Sequence, residues 1–176
     1  MNVPNMITML RIGLVPLFII AFFFSGQNAI TYSVYIFIFA GITDIADGYI
    51  ARKYNLITKF GQVMDPLADK LMQVAVIGCF TLKKLLPPWV LIIVVVKELF
   101  MIIGSFFLYR KKDKVIIPAN KYGKISTIIF YFAIIFVAYD FNYAMTLVFL
   151  AIVSAIVALL MYIKLGVKEM KKSKAA

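Results

Sequence analysis

Six apolar stretches, each close to the roughly 20 residues that cross the hydrocarbon of a bilayer, alternate with short polar breaks along the chain. They fall at about residues 6–24, 30–51, 66–86, 88–109, 122–139 and 143–163. The breaks are Ser25 to Asn28, Arg52 to Gln62, Lys83 to Pro88, Arg110 to Lys121 and Asp140 to Asn142. No long loop, low-complexity tract or repeat interrupts the series. The pattern predicts an all-α polytopic membrane protein, a six-helix bundle forming one domain over residues 1–176, with a basic tail from Lys164 to Ala176. The first stretch reads as a retained helix and not a signal peptide, because no basic residue precedes Arg11 and no small-x-small cleavage site follows.

Composition sharpens the membrane reading. Of the 176 residues 64% are hydrophobic, and the mean hydropathy is +0.96, whereas soluble domains run at about 45–50% apolar. The bilayer must be the solvent for most of this surface. Absence of histidine excludes imidazole metal sites and His-based nucleophilic catalysis. Any metal must be held by oxygen, which favours magnesium, manganese or calcium over zinc. The single Cys79 rules out an internal disulfide and sits in an apolar run, as a small buried hydrophobe does.

The net charge of +11 speaks of orientation. No aromatic-basic pattern of the kind that binds single-stranded nucleic acid lies outside the membrane flanks, so nucleic acid is not an expected partner. Of the 19 Lys and Arg, 14 fall on one side of the predicted bundle: Arg52, Lys53, Lys59, Arg110, Lys111, Lys112, Lys114, Lys121, Lys124, Lys164, Lys168, Lys171, Lys172 and Lys174. Lys83 and Lys84 fall on the other side, and Arg11, Lys70 and Lys97 lie within spans. The positive-inside rule then puts both termini and the second and fourth loops in the cytosol. The basic tail is expected on the anionic leaflet, at about 1 kcal/mol per cation near the surface.

Four of the eight carboxylates, Asp44, Asp47, Asp65 and Asp69, cluster at the end of the second stretch and the start of the third. At about 100° per residue, Asp44, Asp47, Gly48 and Ala51 share a helical stripe with Arg52 at its edge, and Gly61, Asp65 and Asp69 share another. Antiparallel neighbours could turn these stripes toward each other. An acid at the centre of a membrane helix costs about 2.5–3.5 kcal/mol on insertion scales, and four together repel. With only Arg52, Lys59 and Lys70 expected nearby, two divalent cations are the economical neutralisers, about 3.5–4 Å apart and able to clamp a phosphate. Each acid has a plainer explanation when taken singly. Asp65 before Pro66 makes a good helix N-cap, and Asp44 and Asp47 could pair with Arg52 and Lys53. These do not account for the facing stripes, or for the small residues Gly48, Ala51 and Gly61 that open space beside the acids.

Asp44-x-x-Asp47-Gly48-x-x-Ala51-Arg52, eight residues, then Gly61-x-x-x-Asp65-x-x-x-Asp69 resembles the CDP-alcohol phosphatidyltransferase signature at each of its eight fixed positions over 26 residues. The six-span layout is similar too, so the resemblance covers nearly the whole chain. It implies that Asp44, Asp47, Asp65 and Asp69 hold two Mg2+ or Mn2+ ions, with Asp69 also the general base on an acceptor hydroxyl. It implies that Gly48, Ala51 and Gly61 let the CDP moiety of CDP-diacylglycerol lie close, and that Arg52 holds its diphosphate. Asn5 and Thr8 would reach the nucleotide from the first helix, or cap that helix. A homodimer is implied by the resemblance alone, whereas the place of the acids beside the second loop already puts the site at the cytosolic face of the inner membrane.

The segment Asn2 to Thr8 with Arg11 and Pro16, Leu71 after Asp69-Lys70, and Gly123-Lys124-x-Ser126-Thr127 look like the branch of that family that uses glycerol 3-phosphate, the phosphatidylglycerophosphate synthases. Lys97, Arg110, Lys121 and Lys124 could supply a basic pocket for that dianion, with Glu98 beside Lys97. The branch often has Arg-Glu where this chain has Lys97-Glu98, and a second Arg where it has Ser105. Lys does not reproduce the bidentate fork of Arg. A cardiolipin-synthase-type acceptor, phosphatidylglycerol, is therefore the alternative within the family. For Lys97-Glu98 the plainer explanation is a buried ion pair that orients spans. From another class, a cation transporter would also gather acids, but near mid-membrane and on broken helices.

Overall fold

The computed structural model describes residues 3–54, 59–110 and 121–175. Among them all regular structure is helical: α1 (Val3–Phe24), a 3-10 turn (Gly26–Asn28), α2 (Ala29–Lys53), α3 (Lys59–Leu82), α4 (Pro88–Arg110), α5 (Lys121–Ala138) and α6 (Ala144–Ala175). Each predicted apolar stretch falls on one of these six helices. Among the described residues three segments are long and apolar enough to cross a membrane: Asn5–Phe24, Gly26–Ala51 and Ala144–Leu165. Tyr122–Ala138 is a shorter apolar helix. The predicted loop from Arg110 to Lys121, with Lys111, Lys112 and Lys114, lies mostly outside the described residues.

Two boundaries differ from the sequence reading. α3 starts at Lys59 rather than near residue 66, so Asp65 lies in its second turn and does not cap its start. α6 runs on without a break to Ala175. Its 32 residues span about 48 Å at 1.5 Å each, so the basic tail continues the last helix.

The chain forms two compact units, Met1–Pro87 and Pro88–Ala176. In the first, α1 packs broadly against both α2 and α3, while among the described residues α2 and α3 touch each other less. α1 is the middle helix. Its buried positions Thr8, Arg11, Leu14, Phe18, Ala21 and Phe22 recur at helical spacing. Met6, Leu10, Leu17, Ile20 and Phe24 are exposed on its other faces, as suits a lipid-facing surface. At the unit's apolar end Phe22 stacks on Phe80 with centroids 5.2 Å apart, and Lys83 Nζ caps Phe22 at 5.0 Å from its ring centre. α2 contributes Ser33, Val34, Phe37 and Ala40, and α3 contributes Ala68, Met72, Val76 and Ile77.

Both α3 and α5 end in the same backbone motif. Lys84 at φ 60° and Asp140 at φ 52° take the left-handed conformation. Leu85 N–H donates to Phe80 O at 2.9 Å, and Phe141 N–H to Phe136 O at 3.0 Å. Carbonyls that the helix leaves open are thereby satisfied. In the second unit α5 and α6 form a tight antiparallel pair over Ala133, Ile134, Val137, Val148, Ala151 and Ile152. Ser154 Oγ donates to Ser126 Oγ across it at 3.2 Å.

Candidate active site

In the first unit the stripes that form the apolar core at one end become polar at the other. On α2 the buried run Ser33, Phe37, Ala40 continues to Asp44 and Asp47. On α3 the run Val76, Met72, Ala68 continues back to Asp65 and Gly61. On α1 it continues back to Arg11 and Thr8. Because α1 departs from this end, α2 returns to it and α3 departs again, residues distant in sequence meet there.

The meeting is made through α1. The Arg11 guanidinium is 1% exposed. Its Nη1 lies 2.6 Å from Asp44 Oδ1, and its Nη2 donates to Asp47 Oδ2. One turn earlier on the same face, Thr8 Oγ1 donates to Asp65 Oδ1 at 2.5 Å. α1 thus presents one donor group to the two acids of α2 and another to an acid of α3. Charges acting on Asp44 come from Arg11, Asp69, Asp65 and Lys70, and those on Asp47 from Arg11, Asp65 and Asp44. All four carboxylates therefore share one electrostatic neighbourhood.

To the two stripes expected from the sequence the structure adds a third face, that of α1. Among the described residues α1 contacts both α2 and α3 more broadly than they contact each other, so the two acidic stripes meet on the face of α1. Lys53, one of the two basic partners considered for Asp44 and Asp47, is not among their described partners. Lys53 Nζ instead lies over the rings of Tyr49 and Tyr54, at 5.5 and 5.7 Å, and the side chains of Arg52 and Lys59 lie outside the described residues. Arg11 is the cation that sequence reasoning overlooked. It was detectable as the sole charge in a 22-residue apolar helix, since an ionisable residue inside a membrane segment calls for a partner of opposite sign. Removing one member of a buried pair costs about 3–5 kcal/mol.

The other predicted residues fall as follows. Asp69 Oδ2 lies 3.3 Å from Lys70 Nζ, and both are partly exposed. Gly48 and Ala51 are half-buried on α2, and Gly61 is buried on α3. Asn5 is half-buried, one turn before Thr8. Thr8 sits within α1 and does not cap it. In the second unit Lys97 Nζ pairs with Glu98 Oε1 at 2.5 Å, and Glu98 is buried. Lys124 is exposed on α5, while the side chains of Arg110 and Lys121 lie outside the described residues.

Could the acids take a divalent ion? As the side chains lie, no group of three or more acids among the described residues encloses an ion position. Yet the donors are all carboxylate oxygens, the preferred ligands of Mg2+ and Mn2+. Asp44 and Asp47 already converge on one cation, the guanidinium, through a single oxygen each. The Asp44 side chain is 42% exposed, open to an approaching ion. By donor chemistry and charge the residues fit.

The chain matches the CDP-alcohol phosphatidyltransferase family over residues 1–164. It is similar to the CDP-diacylglycerol--glycerol-3-phosphate 3-phosphatidyltransferase of Rickettsia felis, 35% identical over 133 residues that cover 76% of this chain and 72% of the relative. The protein of the same name from Bacillus subtilis is 37% identical over 138 residues, 72% of this chain and 70% of the relative.

Proposed function

The chain belongs to the CDP-alcohol phosphatidyltransferase family, and from that premise we propose that it transfers the phosphatidyl group of CDP-diacylglycerol to glycerol 3-phosphate, releasing CMP. The observation that carries the reading is the convergence of Asp44 and Asp47 from α2 with Asp65 from α3 on adjacent donors of α1. Membership of the family and the names of the relatives supply the donor and acceptor.

Asp44, Asp47, Asp65 and Asp69 would hold two Mg2+ or Mn2+ ions. Bound there, the ions supply charge neutralisation for the diphosphate and for the developing negative charge of transfer. Within this scheme Asp69 accepts the proton of the acceptor hydroxyl, whose oxygen forms the new bond to the lipid-bearing phosphorus. The bond from that phosphorus to the CMP oxygen breaks, and its electron pair leaves with CMP. Thr8 fixes the rotamer of Asp65 and Arg11 holds the α2 pair by its charge, which makes catalysis chiefly a matter of positioning. Gly48, Ala51 and Gly61 leave room for the nucleotide against the helix backbones. Lys97, paired with Glu98, offers a positive group to the phosphate of the acceptor.

We place six spans across the membrane, with both termini and the acidic end cytosolic, because 14 of the 19 basic residues flank that side. A water-soluble acceptor and CMP then exchange with the cytosol, while the acyl chains stay in lipid. Membership of the phosphatidyltransferase family disfavours the transporter alternative.

An acceptor screen tests the proposal. Purified protein, labelled CDP-diacylglycerol and Mg2+ are incubated with glycerol 3-phosphate, phosphatidylglycerol, serine or inositol phosphate. Phosphatidylglycerophosphate and CMP in equal amounts with the first acceptor are expected. Turnover with phosphatidylglycerol alone would transfer the assignment to the cardiolipin-synthase type.

A further inference from the structure

Arg11 pairs with the very carboxylates assigned to bound ions, so one positive group already stands where others are expected. We propose that Arg11 is a built-in counter-cation that lets the carboxylate cluster fold without divalent ions, a duty that such ions share once bound. The inference rests on the reading of Asp44 and Asp47 as metal ligands.

Three observations carry it. Arg11 is the only charged residue of α1 and is fully buried, so neither solubility nor a surface contact explains it. Its two terminal nitrogens divide between Asp44 and Asp47, one turn apart on a single helix. Its Nε and Nη1 have no aligned hydrogen-bond partner among the described residues, although Nη1 touches Asp44 as an ion pair. A guanidinium placed to lock geometry would use its fork fully. This one serves mainly as charge.

The balance of charge gives the role its purpose. Asp44, Asp47, Asp65 and Asp69 bring four negative charges, and Arg11 and Lys70 bring two positive ones, leaving −2 among these six groups. Without Arg11 the balance is −3, and Asp65 and Asp69 act directly on Asp44. Since α2 and α3 share few contacts of their own among the described residues, repulsion between their acids is restrained chiefly through α1. Bound divalent ions supply the same neutralisation, so Arg11 matters most when they are absent.

The test is the unfolding temperature of wild type and Arg11→Gln in detergent, each in EDTA and in excess Mg2+. A ligand that binds only the folded state raises its stability. The Mg2+-induced rise is expected to be larger in Arg11→Gln than in wild type by about 5–10 °C. Arg11→Lys, which keeps the charge, is expected to return most of the way to the wild-type rise. Equal rises in wild type and Arg11→Gln overturn the proposal, as does Arg11→Lys behaving like Arg11→Gln. If Arg11→Gln yields no folded protein in either condition, the double variant Arg11→Gln, Asp47→Asn decides. Folded double variant in EDTA supports the counter-charge role, and its failure to fold overturns it. Wild-type turnover indifferent to EDTA would instead sink the metal reading itself, whereas Mg2+-dependent turnover with equal rises sinks only the role of Arg11.

Discussion

Thr8 on α1 donates a hydrogen bond to Asp65 on α3, joining residues 57 positions apart in the chain. Both sit at the polar end of the first unit, with Thr8 fully buried. The bond leaves Asp65 oriented before any ligand arrives. Groups that orient a metal-binding side chain are typically worth about 10–100-fold in metal affinity or activity. Thr8→Val keeps the shape and removes the donor, so it should raise the Mg2+ concentration for half-maximal turnover by about that factor. Thr8→Ser should remain near wild type. A Mg2+ titration of CMP release on the three proteins checks this.

Asp69 lies half-exposed at the edge of the acidic stripe, beside Lys70. As the base for the acceptor hydroxyl it should contribute about 10²–10⁴-fold to the rate. Asp69→Asn is expected to lower kcat within that range while leaving the protein folded. Unchanged turnover would remove Asp69 from the role of base.

The Lys97–Glu98 pair is adjacent along α4, where neighbouring side chains do not naturally face one another. A contact to the phosphate of glycerol 3-phosphate predicts that Lys97→Met raises KM for that acceptor by about tenfold, in line with the loss of one charge-assisted hydrogen bond. KM for CDP-diacylglycerol should stay nearly constant. If both constants move together, the pair serves the packing of α4 and not the acceptor.

Tyr143 carries φ 69° at the start of α6 and is 79% exposed. The left-handed conformation costs a residue with a side chain about 1–2 kcal/mol relative to glycine's freedom. Tyr143→Gly should therefore stabilise the second unit by about 1 kcal/mol, seen as a higher unfolding temperature in detergent with turnover unchanged. Lower stability would mean that the exposed ring contributes more at the membrane edge than its backbone strain costs.

The helices were legible because a membrane segment must be long, apolar and internally hydrogen-bonded. The period of Asp44, Asp47, Asp65 and Asp69 likewise revealed which faces the acids occupy. Two features were not legible. The pairing order of α1, α2 and α3 escaped, because all are apolar around most of their circumference and periodicity alone does not rank neighbours. The start of α3 escaped because Asp65-Pro66 is a strong helix-start signal, which the helix overrides by beginning at Lys59. Together these concealed Arg11 as the partner of Asp44 and Asp47. Its lone charge was plain in the sequence, but its partners depended on which helix stood in the middle.

The account depends most on carboxylates of α2 and α3 binding the same divalent ions. Equilibrium binding of Mn2+, counted by electron paramagnetic resonance on purified wild type, Asp44→Asn and Asp65→Asn, measures this directly. Two ions per wild-type chain are expected, with binding weakened at least tenfold when either helix loses its acid. Equal binding by all three proteins, or none by wild type, would contradict it.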